Sequence, residues 1–143
     1  MKRDPGLQGL SRDHHQALEV ALRLRRADSE TVADAVERFR EFWGGHGRRH
    51  FELEEQVLLP AYAAHGDPRH PAVAEVLTDH VELRRRAGAL LAEPSLEDAR
   101  ALGERLSEHV RLEERTLFPL IEAAMPADEL AALGARLAEE EAR

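Results

Sequence analysis

Cysteine is absent from this chain, and that one absence removes disulfides, iron–sulfur clusters, thiolate zinc sites and cysteine nucleophiles together. Any metal would have to be held by His, Asp and Glu. Long apolar runs are missing as well. Nothing approaches the ~18 uninterrupted apolar residues of a membrane span, and the opening stretch MKRDPGLQGLSRDHH has no apolar signal core. The expectation is a cytoplasmic protein with no membrane partner. Basic charge is in deficit: 20 basic against 28 acidic residues give a formal net charge of −8, which argues against nucleic acid as a partner. The one basic run, Arg84-Arg85-Arg86, reads as a solvated helix face. There is no Ser-His-Asp nucleophile array, no Walker-type glycine loop and no zinc-finger spacing. Turn residues fall into a few short clusters among Ala, Leu, Glu and Arg, so the chain is expected to be nearly all helix. At 143 residues it fits one domain, 1–143, large enough to bury a core without staples.

What the chain does have is histidine, eight in all, and one phrase written twice. HFELEEQVLLP begins at His50 and HVRLEERTLFP at His109, both reading His-apolar-x-Leu-Glu-Glu-x-x-Leu-apolar-Pro. At about 100° per residue, a side chain four positions after a histidine lies about 40° around the helix and one turn along it. Glu54 therefore shares a face with His50, and Glu113 with His109. Glu55 and Glu114, at roughly 140°, are assigned to the outer or flanking surface.

Apolar periodicity gives four long helices and a short tail helix. Helix 1 carries Leu10, His14, Ala17, Ala21 and Leu24 on one stripe and stops near Ala27-Asp28-Ser29. Helix 2, about Thr31 to Ala64, carries Val32, Val36, Phe39, Trp43, His46, His50, Glu54 and Val57. Its glycines, Gly44, Gly45 and Gly47, weaken it or permit close packing. His65-Gly66-Asp67-Pro68 is a turn, with His65 and His70 read as turn residues, and Pro71 suits the first position of helix 3. Helix 3 places Val73, Val76, His80, Leu83, Ala87 and Leu90 inward and ends before Pro94. Ser95 with Asp98 resembles an N-cap opening helix 4, whose stripe is Leu102, Leu106, His109, Glu113, Thr116 and Leu120. Pro60 and Pro119, six residues beyond the two glutamates, are expected to kink or end their helices. Pro126 precedes the tail helix, about 127–142. Short connections between long amphipathic helices give an all-α, antiparallel up-down-up-down four-helix bundle, about 7–124, with a short C-terminal helix. The order His, His-x-x-x-Glu, His, His-x-x-x-Glu makes it a two-fold repeat of a helix pair.

Each long helix thus puts one histidine, His14, His50, His80 or His109, on an otherwise apolar stripe, and two helices add Glu54 and Glu113. Buried ionised carboxylates cost several kcal/mol unless paired or metal-bound. Two of them beside four imidazoles make little sense as packing, and a pair of metal ions resolves the conflict. Two six-coordinate ions present about twelve positions. Four imidazoles, two bridging glutamates and a shared oxo or hydroxo bridge fill about ten, leaving about two for a small ligand. Imidazole and carboxylate without sulfur suit iron, manganese or zinc, and bridging carboxylates across a bundle favour a redox-active pair, hence two iron ions. His14 is favoured over its neighbour His15, whose face is more polar, because Asp13-His14 parallels Asp79-His80. For His46, one turn before His50, a supporting or core role is expected. Trp43 and Tyr62 are read as packing residues, and Thr116 as bonding back to its own helix.

The segments LSRDHHQAL, HFELEE…LLP, LTDHVEL and HVRLEE…LFP, taken together, resemble the hemerythrin-like, or HHE cation-binding, family across essentially the whole chain. The resemblance implies a non-haem di-iron centre with His14, His50, Glu54, His80, His109 and Glu113 as ligands. It is incomplete toward the oxygen-carrying hemerythrins. Those have a second histidine four residues after the helix 3 ligand, where this chain has Arg84, and an aspartate five after the last histidine, where this chain has Glu113 at four. The expected function is binding of dioxygen or a related small ligand such as nitric oxide, for sensing, storage or detoxification. The alternatives are a di-iron redox enzyme acting on dioxygen, peroxide or nitric oxide, and a structural or iron-storage bundle. Ferritin-like oxidases are set aside, since no histidine here has a glutamate three residues before it. A homodimer is compatible with the sequence, which favours a binding module over an enzyme.

Overall fold

The computed structural model describes residues 2–143. After a single 3-10 turn, Pro5–Leu7, α1 spans Gln8–Arg25 and forms the first bundle helix. The second is assembled from α2 (Val32–Phe42), α3 (Arg48–Leu53) and α4 (Leu59–Ala63), joined without a break by two wider π turns, Trp43–Gly47 and Glu54–Leu58. The third is α5, Pro71–Ala92. The fourth is α6 (Leu96–Leu112) and α7 (Phe118–Ala124), joined by the π turn Glu113–Leu117, and α8, Ala127–Glu141, follows as the tail.

The punctuation has local causes. Asp28 Oδ1 accepts from the backbone N–H groups of Glu30 and Thr31 at 2.9 Å each, making the turn after α1. Ser95 Oγ accepts from Asp98 N–H at 3.1 Å and opens α6 as expected. His70 is more than a turn residue: its Nδ1 accepts from Ala72 N–H at 3.1 Å and caps α5 ahead of Pro71. His65 lies exposed in the turn that Tyr62, fully buried, secures by donating its hydroxyl to Asp67 C=O at 3.0 Å.

The bundle is a three-layer stack along its axis. One apolar layer contains Leu10, Val57, Val76, Leu117 and Ile121, with Leu130, Leu133 and Leu137 of α8 closing its end. The other contains Ala17, Phe39, Leu83, Leu90, Leu102 and Leu106. The first and third helices run from the first layer to the second, and the second and fourth return, which is the up-down-up-down order. Between the layers lie the buried polar residues His14, His50, Glu54, His80, His109 and Glu113. Close helix approach depends on glycine at two places. A Cβ on Gly103 of α6 would stand 2.7 Å from Ala21 C=O and 2.8 Å from Arg25 N on α1, and one on Gly134 of α8 would stand 2.7 Å from Gly6 Cα.

Two expectations, the inward places of His46 and Thr116, are corrected here and a third, that the prolines kink or end their helices, loses its second alternative, all by the π turns. Neither Pro60 nor Pro119 ends its helix, which runs on to Ala63 and Ala124 respectively. A proline donates no hydrogen bond and its ring crowds the carbonyl four residues back. The wider turn just before each proline accommodates this, with Leu59 N–H donating to Glu54 C=O and Phe118 N–H to Glu113 C=O, five residues back. Each such turn also advances the inward stripe by one residue. Thr116 is therefore exposed while Leu117 and Phe118 are buried, and His46 is exposed while Gly47 is buried. His46 has no place in the core. Of the glycines at that turn, Gly44 and Gly45 face open space, and Gly47 alone permits close packing, against Phe42 and Trp43.

Candidate metal centre

The middle layer brings all six candidate residues together. His14, His50, Glu54 and Glu113 form one group and Glu54, His80, His109 and Glu113 another, with one donor atom of each residue within 4.8 Å of the others in its group. The two glutamates belong to both groups, so two ions placed there would share them. His15 is exposed and takes no part.

Local geometry explains the convergence. His50 and Glu54, and His109 and Glu113, are i,i+4 pairs on single helices, with Nε2–Oε distances of 3.1 and 3.2 Å. Across the bundle, His14 Nε2 lies 2.8 Å from Glu113 Oε1, and His80 Nε2 lies 3.0 Å from Glu54 Oε1. Every Nε2 thus faces the shared glutamates.

Every Nδ1 faces a different carboxylate. His14 Nδ1 meets Glu114 at 2.6 Å, His50 Nδ1 meets Asp13 at 3.0 Å, His80 Nδ1 meets Glu55 at 2.6 Å and His109 Nδ1 meets Asp79 at 3.0 Å. A carboxylate on Nδ1 favours the tautomer with its proton there, leaving the Nε2 lone pair free for a cation. These four acids are what reasoning from single helices missed. Glu55 and Glu114, assigned to the outer surface, turn inward between helices and each reaches a histidine of the neighbouring helix. The signal was the doubling itself: Asp-His occurs twice on the first and third helices, Glu-Glu twice on the second and fourth. Arg84 likewise is no solvated charge; it bonds Glu55 with both guanidinium arms at 2.8 and 3.2 Å, while Arg85 and Arg86 pair with Glu82 on the surface.

Electrostatics matches a site built for cations. Burial pushes the His80 imidazole down, but the carboxylates of Glu113 and Glu54, 3.6 and 3.0 Å from its Nε2, overcome it and raise the pKa to about 10. His109 is pushed down by burial and lifted to about 9 by the charge of Glu113 and the bond to Asp79. Burial pushes His50 down, yet the charge of Glu54, the bond to Asp13 and the Glu113 carboxylate 3.7 Å away raise it well above its ordinary value, and His14, also pushed down by burial, is raised by Glu113 and Glu114. Burial pushes Glu113 up, yet the charge of His109, 3.2 Å away, and the bond from His14 hold it well below the usual carboxylate range. Protons on the imidazoles do here what divalent cations would do. Even so, the cluster is not self-sufficient: His80 Nε2 and Glu54 Oε1, at 3.0 Å, and His109 Nε2 and Glu113 Oε2, at 3.2 Å, face each other as ion pairs, yet none of these four buried atoms makes a hydrogen bond. Buried polar atoms left in that state are costly, and these four belong to one candidate group. The donor set therefore fits a pair of cations held by imidazole and carboxylate.

Beside the centre lies a cavity of about 20 Å³ with His14, His50 and His109 at its floor and Ala17, Phe42, Trp43, Leu106 and Val110 among its walls. That is room for about one water-sized molecule, and an apolar cavity of such size accepts small uncharged guests. Trp43 packs between Phe39 and Phe51 as a wall residue.

Among the described residues, no helix is long and apolar enough to cross a membrane. Searches of curated proteins and of solved structures gave no match. The family described as Hemerythrin HHE cation binding domain matches residues 6–121. That span holds all six clustered residues and all four carboxylates on their Nδ1 atoms, and the chain belongs to this family.

Proposed function

We propose that the chain holds a non-haem di-iron centre and binds dioxygen or a related uncharged small ligand, such as nitric oxide, for sensing, storage or detoxification. The observation that carries this reading is the pair of four-residue groups sharing Glu54 and Glu113. His14 and His50 would hold one ion, His80 and His109 the other, and the two glutamates would bridge them. When bound, the ions supply open coordination positions and a reversible change of oxidation state.

The chain's own residues do the remainder. The Nδ1 carboxylates hold each ring at a fixed angle and make its Nε2 more basic. Phe51 stacks on His80 at 4.1 Å and 8°, and Phe118 on His14 at 5.4 Å and 13°. These rings screen the imidazole faces from water. The cavity's largely apolar walls suit a small neutral ligand, and the Asp13 carboxylate among its lining residues disfavours an anion.

The test is metal content per chain after anaerobic loading with ferrous iron, followed by the visible spectrum before and after air. Two irons per chain with new charge-transfer absorption on exposure to air is the expected result. One zinc per chain, or no stoichiometric metal in an intact bundle, would overturn the reading.

A further inference from the structure

We propose that Arg3, on the N-terminal arm, is a positioning residue for the His14–His50 ion, and that the arm is a latch whose closure and the loading of that ion favour one another. The inference rests on the two-ion reading above and deepens it.

Arg3 reaches across the molecule. Its Nη1 donates to Glu122 Oε1 at 2.6 Å, and its Nη2 to the backbone oxygen of Glu114 at 2.7 Å and to Glu114 Oε1 at 3.3 Å. Asp4 N–H adds a bond to Glu122 Oε2 at 2.6 Å. Glu114 Oε2, held also by Ser11 Oγ at 2.8 Å, is the atom that meets His14 Nδ1. The Arg3 guanidinium also lies 5.3 Å from the centre of the Phe118 ring, and Phe118 stacks on His14. One guanidinium thus supports His14 at its edge, through Glu114, and at its face, through Phe118.

The other ion's side shows the same three-part support. Arg84 bonds Glu55, Glu55 meets His80 Nδ1, and Arg84 lies 5.7 Å from the centre of Phe51, which stacks on His80. Sequence duplication does not account for the likeness. Arg84 stands four residues after His80, and four after His14 stands Leu18, which is exposed. In the doubled phrase Phe51 aligns with Val110, and Phe118 with Leu59. The same support has been assembled from residues that the repeat does not make equivalent, and Arg3 supplies what helix α1 lacks.

The two arginines differ in tether. Arg84 is fixed in mid-helix, whereas Arg3 precedes the 3-10 turn Pro5–Leu7 and is held by the bonds just named. If the arm's contacts favour the loaded centre, loading must favour the arm's contacts by the same factor.

The experiment titrates anaerobic ferrous iron into the full chain and its variants, resolving the two binding steps, with histidine ring NMR identifying which pole is affected. Arg3→Ala is expected to weaken the His14–His50 step about tenfold, the low end of the range for residues supporting a ligand from outside, and to leave the other step near its original affinity. Arg84→Ala is expected to do the converse. Glu122→Gln loosens the arm without touching Glu114 or His14, and is expected to move the same step as Arg3→Ala, by less. Amide exchange at Asp4 and Gly6 is expected to slow on loading. An Arg3→Ala protein with both steps unchanged, or both weakened equally, would overturn the positioning role. Arm exchange indifferent to metal would overturn the latch. A parent chain taking up fewer than two irons would overturn the two-ion reading before any variant is compared, and this inference with it.

Discussion

The two poles of the centre present the same donors to the middle of the bundle and are fastened in different ways. At the His80–His109 pole the supports are built into helices: Asp79 holds His109 and is itself bonded by Arg105 at 3.3 Å, and Arg84 clamps Glu55. At the His14–His50 pole they come from the ends of the chain. Arg3 on the arm clamps Glu114, while Asp13, which holds His50, has Glu141 of α8 and His46, in the place of Arg105, nearby. Duplication repeated the clustered His and Glu residues and their Nδ1 carboxylates faithfully. What surrounds them was free to diverge, because a ring needs only an acceptor at the right place and is indifferent to which element supplies it.

The largest effect should come from removing what the poles share. Glu113 belongs to both groups, so Glu113→Ala should bring metal content from two ions to none, or to a single weakly held one. His109→Ala, at one pole only, should abolish most binding of one ion and weaken the other, since Glu113 would lose the imidazole 3.2 Å away that helps fix it. Metal analysis after gel filtration separates the outcomes. Equal stoichiometry in parent and Glu113→Ala would refute a shared bridge.

The clustering of the six His and Glu residues was legible because it obeys two simple regularities, a 3.6-residue period and a repeated phrase. His14 could be preferred to His15 from its place on the stripe and its preceding aspartate, and the structure buries the former and exposes the latter. The period failed where the helix itself changes. The π turns at Trp43–Gly47 and Glu113–Leu117 each add a residue to the turn, so His46 and Thr116, inward by the α-helical count, emerge at the surface. Glu55 and Glu114 were misplaced for another reason: a direction 140° from the ligand face is outer on an isolated helix but points into the seam with the next helix in a bundle. Arg3 lies 111 residues from Glu114, and no periodicity reports such a contact.

Smaller effects should distinguish the poles. Asp79→Ala removes the support of His109 and Asp13→Ala that of His50, and each should cost about 10–100-fold in affinity for its own ion. Stepwise titration of the two variants side by side should show opposite steps affected. If both variants weakened the same step, the pairing of aspartates with ions across the bundle would be wrong. His15→Ala, next to the buried His14 yet itself exposed, should leave both steps unchanged.

The smallest effect is a slope, and it contrasts the whole centre with and without metal. In the chelator-treated protein His80 and His109 hold their protons to about 10 and about 9, against an ordinary 6.5. Between 6.5 and those values the folded state binds more protons than the unfolded one, so stability declines as pH rises through that window and the contribution is complete only below it. Glu114, brought down to about 2 by His14 and Ser11 against the opposing push of burial, acts at the other end. Its contribution is present above 4.5 and fades as pH falls toward 2. Metal-free protein should therefore unfold at its highest temperature between about pH 4.5 and 6.5, with Tm falling on the order of 10 °C by pH 9. Loaded protein must have neutral imidazoles at Nε2, so metal uptake releases protons and strengthens as pH rises through the same window. Melting curves at pH 6 and pH 9, with and without iron, should shift in opposite directions. Parallel shifts would mean that protons and metal ions do not compete for the same four nitrogens.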